Sequence, residues 1–331
     1  MSEKSYDLVP ARKTFSRIGF ALCGILVIAT ALQLLWATIP TMIWGEENWL
    51  IASSWGMWLG TFAPLYLIAI PVGLLILRKI PGETPQNNKL GGKNFLIFLL
   101  ISFCMMYGGN IIGTALSLLL SGGSAENAVI DYALDTNPLK ILVMVVLAPL
   151  LEEYVFRKQL IDRTRAYGEK TAVLLSAVTF GLLHQNLYQF FYAFGLGLVF
   201  AYIYTRTGRL RYSVLLHSII NFIGSVVAPW ILSLVDMDAL ANMDANAAPE
   251  EILAQYGDML PGLIVYLLYA LLLIGLAIAG LVLLILKSRK LIWKETDAQL
   301  PKGTGAKTVY LNAGMVLYTL LCVGVMVFLL L

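Results

Sequence analysis

The chain has 331 residues, of which 59% are hydrophobic and only 13% charged, whereas ordinary soluble domains contain about 25% charged residues. The net charge is only +3, and the basic residues form short clusters beside apolar runs rather than the continuous basic face of a nucleic-acid-binding protein. Composition therefore excludes an ordinary soluble protein, predicts no nucleic-acid partner and indicates an integral membrane protein whose surface contacts membrane lipids.

Apolar runs divide the chain into predicted membrane spans. A transmembrane helix needs about 20 mainly apolar residues. The fifth and sixth spans share one apolar stretch and form either two short helices or one span with a re-entrant piece, so the total is eight or nine. The predicted fold is an all-α polytopic transmembrane helical bundle, with a single integral membrane domain over residues 1–331. The spans are 18–39, 51–77, 95–120, 138–160, 171–190, 191–205, 212–234, 261–286 and 309–331.

Charged loops between the spans predict their orientation. Short cytoplasmic loops carry an excess of Lys and Arg. The N-terminal arm, which includes Lys4, is basic, and acidic and basic loops then alternate across the nine spans. This alternation predicts a cytoplasmic N-terminus and a C-terminus on the opposite side. The basic loops are 78–93, 157–170, 206–211 and 287–307, and the acidic loops are 46–47, 126–135 and 236–258.

Local signals mark the fourth and sixth spans. Asn137 with the proline after it is typical of a helix N-cap and first helical position. Pro149 removes a backbone hydrogen bond and predicts a kink in the fourth span. The small residues Ala193, Gly197 and Ala201 recur every fourth residue, which predicts close approach of a neighbouring helix.

The fourth span carries ionisable residues whose burial in the hydrocarbon core of a membrane is energetically unfavourable. Glu152, Glu153 and Arg157 end an otherwise apolar run, and the two histidines of the chain, His184 and His217, fall in later predicted spans. A charged side chain at the bilayer centre costs about 2.5–3.5 kcal/mol on insertion scales, so such residues mark functional sites by default. One isolated histidine can serve only as an interhelical hydrogen-bonding group, but the combination favours a site.

The estimated depths of the polar residues in the membrane are similar enough for these residues to lie in one layer. Counted from the basic loops at about 1.5 Å per residue, four polar residues lie roughly 9–21 Å into the membrane. This estimate requires the fourth helix to continue past Arg157 to about residue 162. The four residues are Glu152, His184, His217 and Asn221.

Helical spacing separates their roles. Glu153 and Arg157 are four residues apart with the carboxylate on the N-terminal side, which favours an ion pair that makes burial tolerable. Glu152 points about 100° away from Glu153 and lacks that local partner, so it is the candidate general base. Two further pairs of residues spaced by four share a helix face: His217 with Asn221, and Phe180 with His184.

The residue types in this layer favour hydrolysis by an activated water. No serine or cysteine stands with them in a recognisable nucleophile motif. A glutamate, two histidines and an asparagine can activate water and hold an oxyanion, either directly or around a metal. Glu152, His184 and His217 form a possible Zn²⁺ ligand set, although no His-Glu-x-x-His motif is present. Both routes lead to cleavage of a peptide or similar acyl bond within the membrane.

Three ordered motifs carry a family resemblance. Glu-Glu-x-x-x-Arg at 152–157, Phe-x-x-x-His at 180–184 and His-x-x-x-Asn at 217–221 are complete and lie on separate spans. Together they resemble the CPBP family of intramembrane proteases, which includes CAAX prenyl endopeptidases and bacteriocin-processing or self-immunity proteins. The resemblance covers about residues 138–225, the expected protease core.

The resemblance implies roles for the motif residues. Glu152 and His184 would activate the attacking water, and His217 and Asn221 would bind the oxyanion. A metal-independent mechanism is favoured because Asn221 is a poor Zn²⁺ ligand and a good oxyanion donor. The expected substrate is a peptide or lipidated protein, either a prenylated CAAX tail or a membrane-associated peptide, and the expected location is a bacterial plasma membrane. The remaining motif residues, Glu153, Arg157 and Phe180, would support and shape the site.

Two other functions are compatible with the sequence. A non-catalytic membrane regulator or bacteriocin immunity protein would keep the motifs as a structural network. A secondary transporter with a Glu/His proton relay is the third interpretation, but the inverted repeats that favour it are not evident. The sequence predicts no particular oligomeric state.

Overall fold

Helices are the regular secondary structure of the part of the chain that the computed structural model describes, and no β-strand is formed within that part. The prediction of an all-α fold is therefore confirmed. Lys4 and most of the predicted acidic loop, 243–249 and 251–255, lie outside the described residues. The structure describes residues 7–242, 250, 256–296 and 298–331.

Nine long helical segments, counted over the described residues, overlap the nine predicted spans. Six of them are long and apolar enough to cross a membrane, namely α1, α2, α3, α6, α7 and α8. The fourth is rich in charge, the fifth has 15 residues and the ninth has 16. The segments are α1 (Val9–Trp44), α2 (Ser54–Leu77), α3 (Gly92–Leu120), α4 (139–164), α5 (Glu169–Leu183), α6 (Leu187–Thr207), α7 (Leu210–Leu232), α8 (Leu260–Ser288) and α9 (Ala313–Phe328).

Short helices occupy several connections. Ala128–Leu134 precedes α4, and Gly305–Tyr310 precedes α9. The predicted ninth span, 309–331, is therefore not one helix. It is interrupted at residues 311–312, where the side chain of Asn312 caps α9 by accepting a hydrogen bond from the backbone of Met315. The other short helices are Trp49–Ala52, Arg165–Tyr167, Met237–Ala241 and Gly257–Met259.

The predicted boundary between the fifth and sixth spans, at residues 190–191, was wrong. The turn lies earlier, between Leu183 and Leu187, and joins two separate helices. Gln185 adopts a positive φ of 50°, and the Asn186 side chain accepts a hydrogen bond from the backbone N–H of Tyr188 at 2.8 Å. The polar residues that interrupt the apolar stretch therefore form the turn itself, because they supply its left-handed residue and its cap.

Helix α4 is built from alternating α-helical and π-helical turns. The backbone N–H of Leu139 donates to the side chain of Asn137 at 2.9 Å, as expected for the predicted start of the helix. A π-helical segment, Ile141–Leu147, lies directly before Pro149, and a second one follows Glu153. The helix continues to Thr164, which confirms the extension that the depth estimate required.

Close packing places α5, α6 and α7 around α4. Gly197 on α6 is required by this packing, since a Cβ atom there would lie 2.9 Å from the Cα atom of Ala177 on α5. At the end of α4 with the basic loops, Asp162 accepts hydrogen bonds from Tyr204 on α6 at 2.8 Å and from Thr84 at 2.7 Å. These contacts fix α4 against its neighbours on one side and against the loop before α3 on the other.

Candidate active site

A buried ion pair on α4 anchors the candidate site. The Arg157 guanidinium donates to both carboxylate oxygens of Glu153, each at 2.9 Å, and neither side chain is exposed. This bidentate geometry is the strongest form of an Arg–carboxylate contact. The i, i+4 pair inferred from the sequence is therefore present, and each charge compensates the other where neither side chain is exposed to solvent.

Arg157 also connects α4 to α5 and α6. Its Nη1 atom donates to the Ser176 hydroxyl at 3.0 Å, and this hydroxyl donates to the backbone carbonyl of Phe156 at 2.7 Å. The guanidinium lies 4.5 Å from the ring centroid of Phe180 and 5.8 Å from that of Phe200, within the range of cation–π attraction. The guanidinium is thus held by hydrogen bonds in its plane and by aromatic faces beside it.

Glu152 has a different hydrogen-bond partner from Glu153. Its Oε1 atom accepts a hydrogen bond from the hydroxyl of Tyr66 on α2 at 2.8 Å. Its Oε2 atom lies 3.9 Å from Nε2 of His217 on α7. One oxygen is therefore fixed by a neutral donor, whereas the other faces an imidazole at a separation that a shared water or substrate atom can bridge.

His217 lies between the two carboxylates. Its Nδ1 atom lies 3.2 Å from Oε1 of Glu153, and its Nε2 atom faces Glu152. Because an ionised carboxylate only accepts hydrogen bonds, this contact assigns a proton to Nδ1. The ring of Phe200 stacks on His217 at 5.6 Å. Glu153 thus orients His217 as the buried aspartate orients histidine in a Ser-His-Asp triad.

His184 is oriented by a backbone carbonyl. Its Nδ1 atom lies 2.9 Å from the carbonyl oxygen of Phe180 one turn earlier on α5. A carbonyl oxygen accepts but never donates, so Nδ1 carries a proton and the neutral ring leaves Nε2 as an acceptor. The Phe180 ring makes edge contacts with His184 at 5.0 Å and with His217 at 5.8 Å. Phe180 therefore sets the spacing between the two imidazoles.

Asn221 closes the other end of the layer. Its side-chain N–H donates to the backbone carbonyl of Met144 at 2.8 Å, which ties α7 to the first π-helical segment of α4. An amide group has two N–H donors, so this bond leaves one for another acceptor. Glu152 and His217 thus lie within 3.9 Å of each other, whereas His184 and Asn221 are each hydrogen-bonded to a backbone carbonyl.

A metal ion would need several ligands grouped around one point. Within the residues that the structure describes, no three His, Cys, Asp or Glu side chains are grouped as metal ligands require. The alternative set of Glu152, His184 and His217 is thus not assembled as a ligand cluster among those residues. We therefore derive no step through a metal.

Two contributors to the site were missed by sequence reasoning. Tyr66 lies on α2, outside the expected protease core of residues 138–225, and Ser176 lies on α5 one turn before Phe180. A tyrosine hydroxyl in an apolar span was the available signal, because a buried tyrosine hydroxyl normally finds a hydrogen-bond partner. Nothing in the sequence indicated which carboxylate that partner would be.

A known protein family matches the region of the chain that carries the motif residues. The family model for the type II CAAX prenyl endopeptidases, described as Rce1-like, matches residues 135–223. This range contains all seven motif residues and excludes Tyr66. No solved structure matches the chain significantly.

Two bacterial proteins are similar to this chain. A Bacillus subtilis (strain 168) protein named "Putative membrane peptidase YdiL" is 31% identical over 185 residues, which cover 53% of this chain and 72% of the relative. A Staphylococcus aureus (strain USA300) protein named "Membrane-embedded CAAX protease MroQ" is 28% identical over 195 residues, which cover 55% of this chain and 77% of the relative. Both similarities extend well beyond the motif region, so the resemblance is not confined to short motifs.

Proposed function

Because the chain belongs to the Rce1-like family of type II CAAX prenyl endopeptidases, we propose that it hydrolyses a peptide bond of a membrane-associated or prenylated substrate by glutamate-dependent activation of water. Family membership makes the chain an integral membrane protease. The substrate and the mechanism are our proposals. The observation that carries them is the placement of Glu152 between the Tyr66 hydroxyl and Nε2 of His217.

In the proposed reaction Glu152 and His184 act on the attacking water. The bond from Tyr66 holds one oxygen of Glu152 and leaves the other free to accept a proton. Nε2 of His184 is available as a second acceptor that aligns the water. The water oxygen attacks the substrate carbonyl carbon, and its proton passes to Glu152. The same proton then goes to the leaving nitrogen as the C–N bond breaks, giving a carboxylic acid, which keeps the second proton of the water, and an amine.

His217 and Asn221 are the proposed oxyanion donors. In this role His217 carries protons on both ring nitrogens, so that Nδ1–H donates to Glu153 while Nε2–H donates to the oxyanion. The second N–H of Asn221 supplies the other donor. The positive charges of Arg157 and His217 then balance those of Glu152 and Glu153. Donors fixed in a low-dielectric site stabilise an oxyanion without reorganising during the reaction.

The family and the name of the staphylococcal relative support a CAAX-type substrate. The test uses the purified full-length protein in lipid nanodiscs and two peptides of identical sequence ending in Cys-a-a-X, one farnesylated at the cysteine and one not. Mass spectrometry identifies the bond that is cleaved. Cleavage of the farnesylated peptide alone supports a prenyl-dependent protease, whereas equal cleavage of both peptides supports a general peptide substrate. Failure to cleave any peptide from a broad library would contradict the proposed activity.

The same assay tests the proposed mechanism. We expect His184→Ala to lower the cleavage rate by at least 100-fold, because removal of a positioned acid–base group costs about 10²–10⁴. Activity should persist after exhaustive treatment with metal chelators, and added Zn²⁺ should not raise it. Loss of activity on chelation with recovery on addition of Zn²⁺ would overturn the metal-independent mechanism while leaving protease function intact.

A further inference from the structure

A cavity outside the motif cluster lies at the end of the bundle that carries the basic loops. Its volume is about 610 Å³, and it opens between α3, α6, α8 and the segment that follows α8. This size is within the roughly 300–1,000 Å³ range of small-molecule sites. None of the residues that line it belongs to the three motifs, so it is separate from the candidate active site.

The cavity combines an apolar interior with a basic mouth. Side chains such as Ile97, Phe98 and Leu198 form its walls. The basic residues that line it lie at helix ends or just outside them, and no Asp or Glu is among the lining residues. Arg206 is paired with Glu169. The lysines, Lys89, Lys287 and Lys290, are exposed and form no ion pair among the described residues.

Aromatic residues place the mouth at the level of lipid headgroups. Trp293 follows α8 and lines the cavity, and its ring makes an edge contact with Tyr202 of α6 at 5.4 Å. The Tyr202 hydroxyl also accepts a hydrogen bond from the backbone of Ile292 at 3.3 Å. Trp and Tyr are enriched where a membrane meets water. The segment after α8 is therefore held across the mouth at the interface.

We propose that this cavity binds one anionic phospholipid. Its acyl chain would lie against the apolar walls, and its phosphate would lie among Lys89, Lys287 and Lys290. The charge pattern favours this occupant, since Lys side chains near a membrane surface attract anionic lipids and basic pockets between transmembrane helices bind anionic headgroups. A zwitterionic lipid brings a cationic group along with its phosphate, and the lining holds no carboxylate to pair with that cation, so three lysines favour a headgroup with net negative charge.

Native mass spectrometry of the full-length protein tests the proposal. The protein in detergent solution is titrated with phosphatidylglycerol or with phosphatidylcholine of identical acyl chains, and separately with inorganic phosphate. The detergent is then removed in the mass spectrometer, and the bound molecules are counted. We expect one phosphatidylglycerol to bind at least tenfold more tightly than phosphatidylcholine. Inorganic phosphate alone should bind the wild-type protein no more tightly than it binds a variant in which Lys89, Lys287 and Lys290 are replaced by glutamine. Tight binding of phosphate without lipid would overturn the lipid assignment.

A charge-matched pair of variants locates the site. The groove variant is Lys89→Gln, Lys287→Gln and Lys290→Gln, and we expect it to lose at least tenfold in affinity for phosphatidylglycerol. The control variant is Lys13→Gln, Lys79→Gln and Lys302→Gln, three exposed lysines away from the cavity whose replacement changes the net charge equally. Equal loss in both variants, or no loss in either, would overturn the proposal. All six residues are exposed, so both variants should fold.

Discussion

Helices α4 and α8 show two different ways of lying in a membrane. Helix α8 is almost entirely apolar, and its only buried residue is Gly280, at the contact with α3. Helix α4 contains Glu152, Glu153 and Arg157, all buried, and each has a partner within the protein. A helix surrounded by lipid needs no partners for its side chains, whereas a charged helix must be enclosed by neighbours that compensate its charges.

The comparison explains the architecture around the site. Helices α2, α5, α6 and α7 each contribute a side chain that contacts a charge or imidazole of the cluster. The proposed catalytic group is then the carboxylate that is not paired with an arginine. Glu153 is paired with Arg157, whereas among the described residues Glu152 accepts its hydrogen bond from the neutral hydroxyl of Tyr66.

The largest expected effect comes from leaving a buried charge of α4 uncompensated. Arg157→Met should lower the free energy of unfolding by about 3–5 kcal/mol, because it leaves Glu153 buried without its cation. The double variant Glu153→Leu with Arg157→Met should recover a large part of this loss. Reversible unfolding in mixed micelles measures the free energy of unfolding of Arg157→Met, of Glu153→Leu and of the double variant. A double variant as unstable as the sum of the two single variants would show that the pair is not the unit of stability.

Leucine truncation distinguishes the enclosed helix from the lipid-facing one. Leu160 on α4 has no exposed surface, and Leu271 on α8 is 64% exposed. Leu160→Ala should cost about 2–3 kcal/mol through the lost contacts and the cavity left behind. Leu271→Ala should cost less than about 1 kcal/mol, since lipid replaces the missing atoms. Equal costs in the same unfolding assay would contradict the assignment of α8 to the lipid-facing periphery.

A smaller effect is expected from the hydroxyl that orients Glu152. Tyr66→Phe should lower kcat about tenfold with little change in KM, because it removes one hydrogen bond of about 1.5 kcal/mol to a charged group. The pH–rate profile should also shift, which a purely structural role would not cause. Tyr269→Phe on α8 is the control, since that hydroxyl has no hydrogen-bond partner among the described residues. Equal rates for the two variants would exclude a positioning role for Tyr66.

The smallest effect concerns a carboxylate outside the membrane spans. Partial burial opposes ionisation of Asp135, but hydrogen bonds from Ser54, the backbone of Asn137 and Trp58 outweigh it and hold the pKa of Asp135 below its ordinary value of 3.8. A lowered folded-state pKa contributes stability above the unfolded pKa and loses it as the pH falls through the folded pKa.

Asp135→Asn should therefore cost about 1 kcal/mol at neutral pH. The difference from wild type should shrink as the pH falls below about 4, where the unfolded carboxyl becomes protonated. Unfolding measured from pH 7 to pH 3 tests this, with the exposed Asp131→Asn as control. A difference that stays constant over this range would show that Asp135 stabilises by packing alone.

Much of the fold could be predicted because hydrocarbon imposes strict rules on a chain. Apolar length located the nine helical segments, and the Asn137 cap located the start of α4. Apolar length could not locate the turn at 184–186, because a polar interruption within an apolar run marks either a turn or an inward-facing group. The single-domain assignment and the orientation of the termini remain predictions.

The sequence predicted which residues form the candidate site better than it predicted the contacts between them. Spacing along α4 was enough to pair Glu153 with Arg157. Spacing within one helix carries no information about other helices, so Tyr66 was missed and the 3.9 Å approach of His217 to Glu152 could not be foreseen. The resemblance implied that His184 acts together with Glu152, whereas the imidazole that lies within 4 Å of Glu152 is that of His217. The roles of the seven motif residues remain proposals.

Replacement of Glu152 tests the central claim most directly. Glu152→Gln keeps the side-chain shape and the acceptor for Tyr66 but cannot take a proton from water. The measurement is the single-turnover cleavage rate in nanodiscs, with thermal unfolding in parallel and the exposed Glu126→Gln as control. We predict a loss of at least 100-fold with unchanged thermal stability for Glu152→Gln and a wild-type rate for Glu126→Gln. A folded Glu152→Gln variant that cleaves at the wild-type rate would contradict the account.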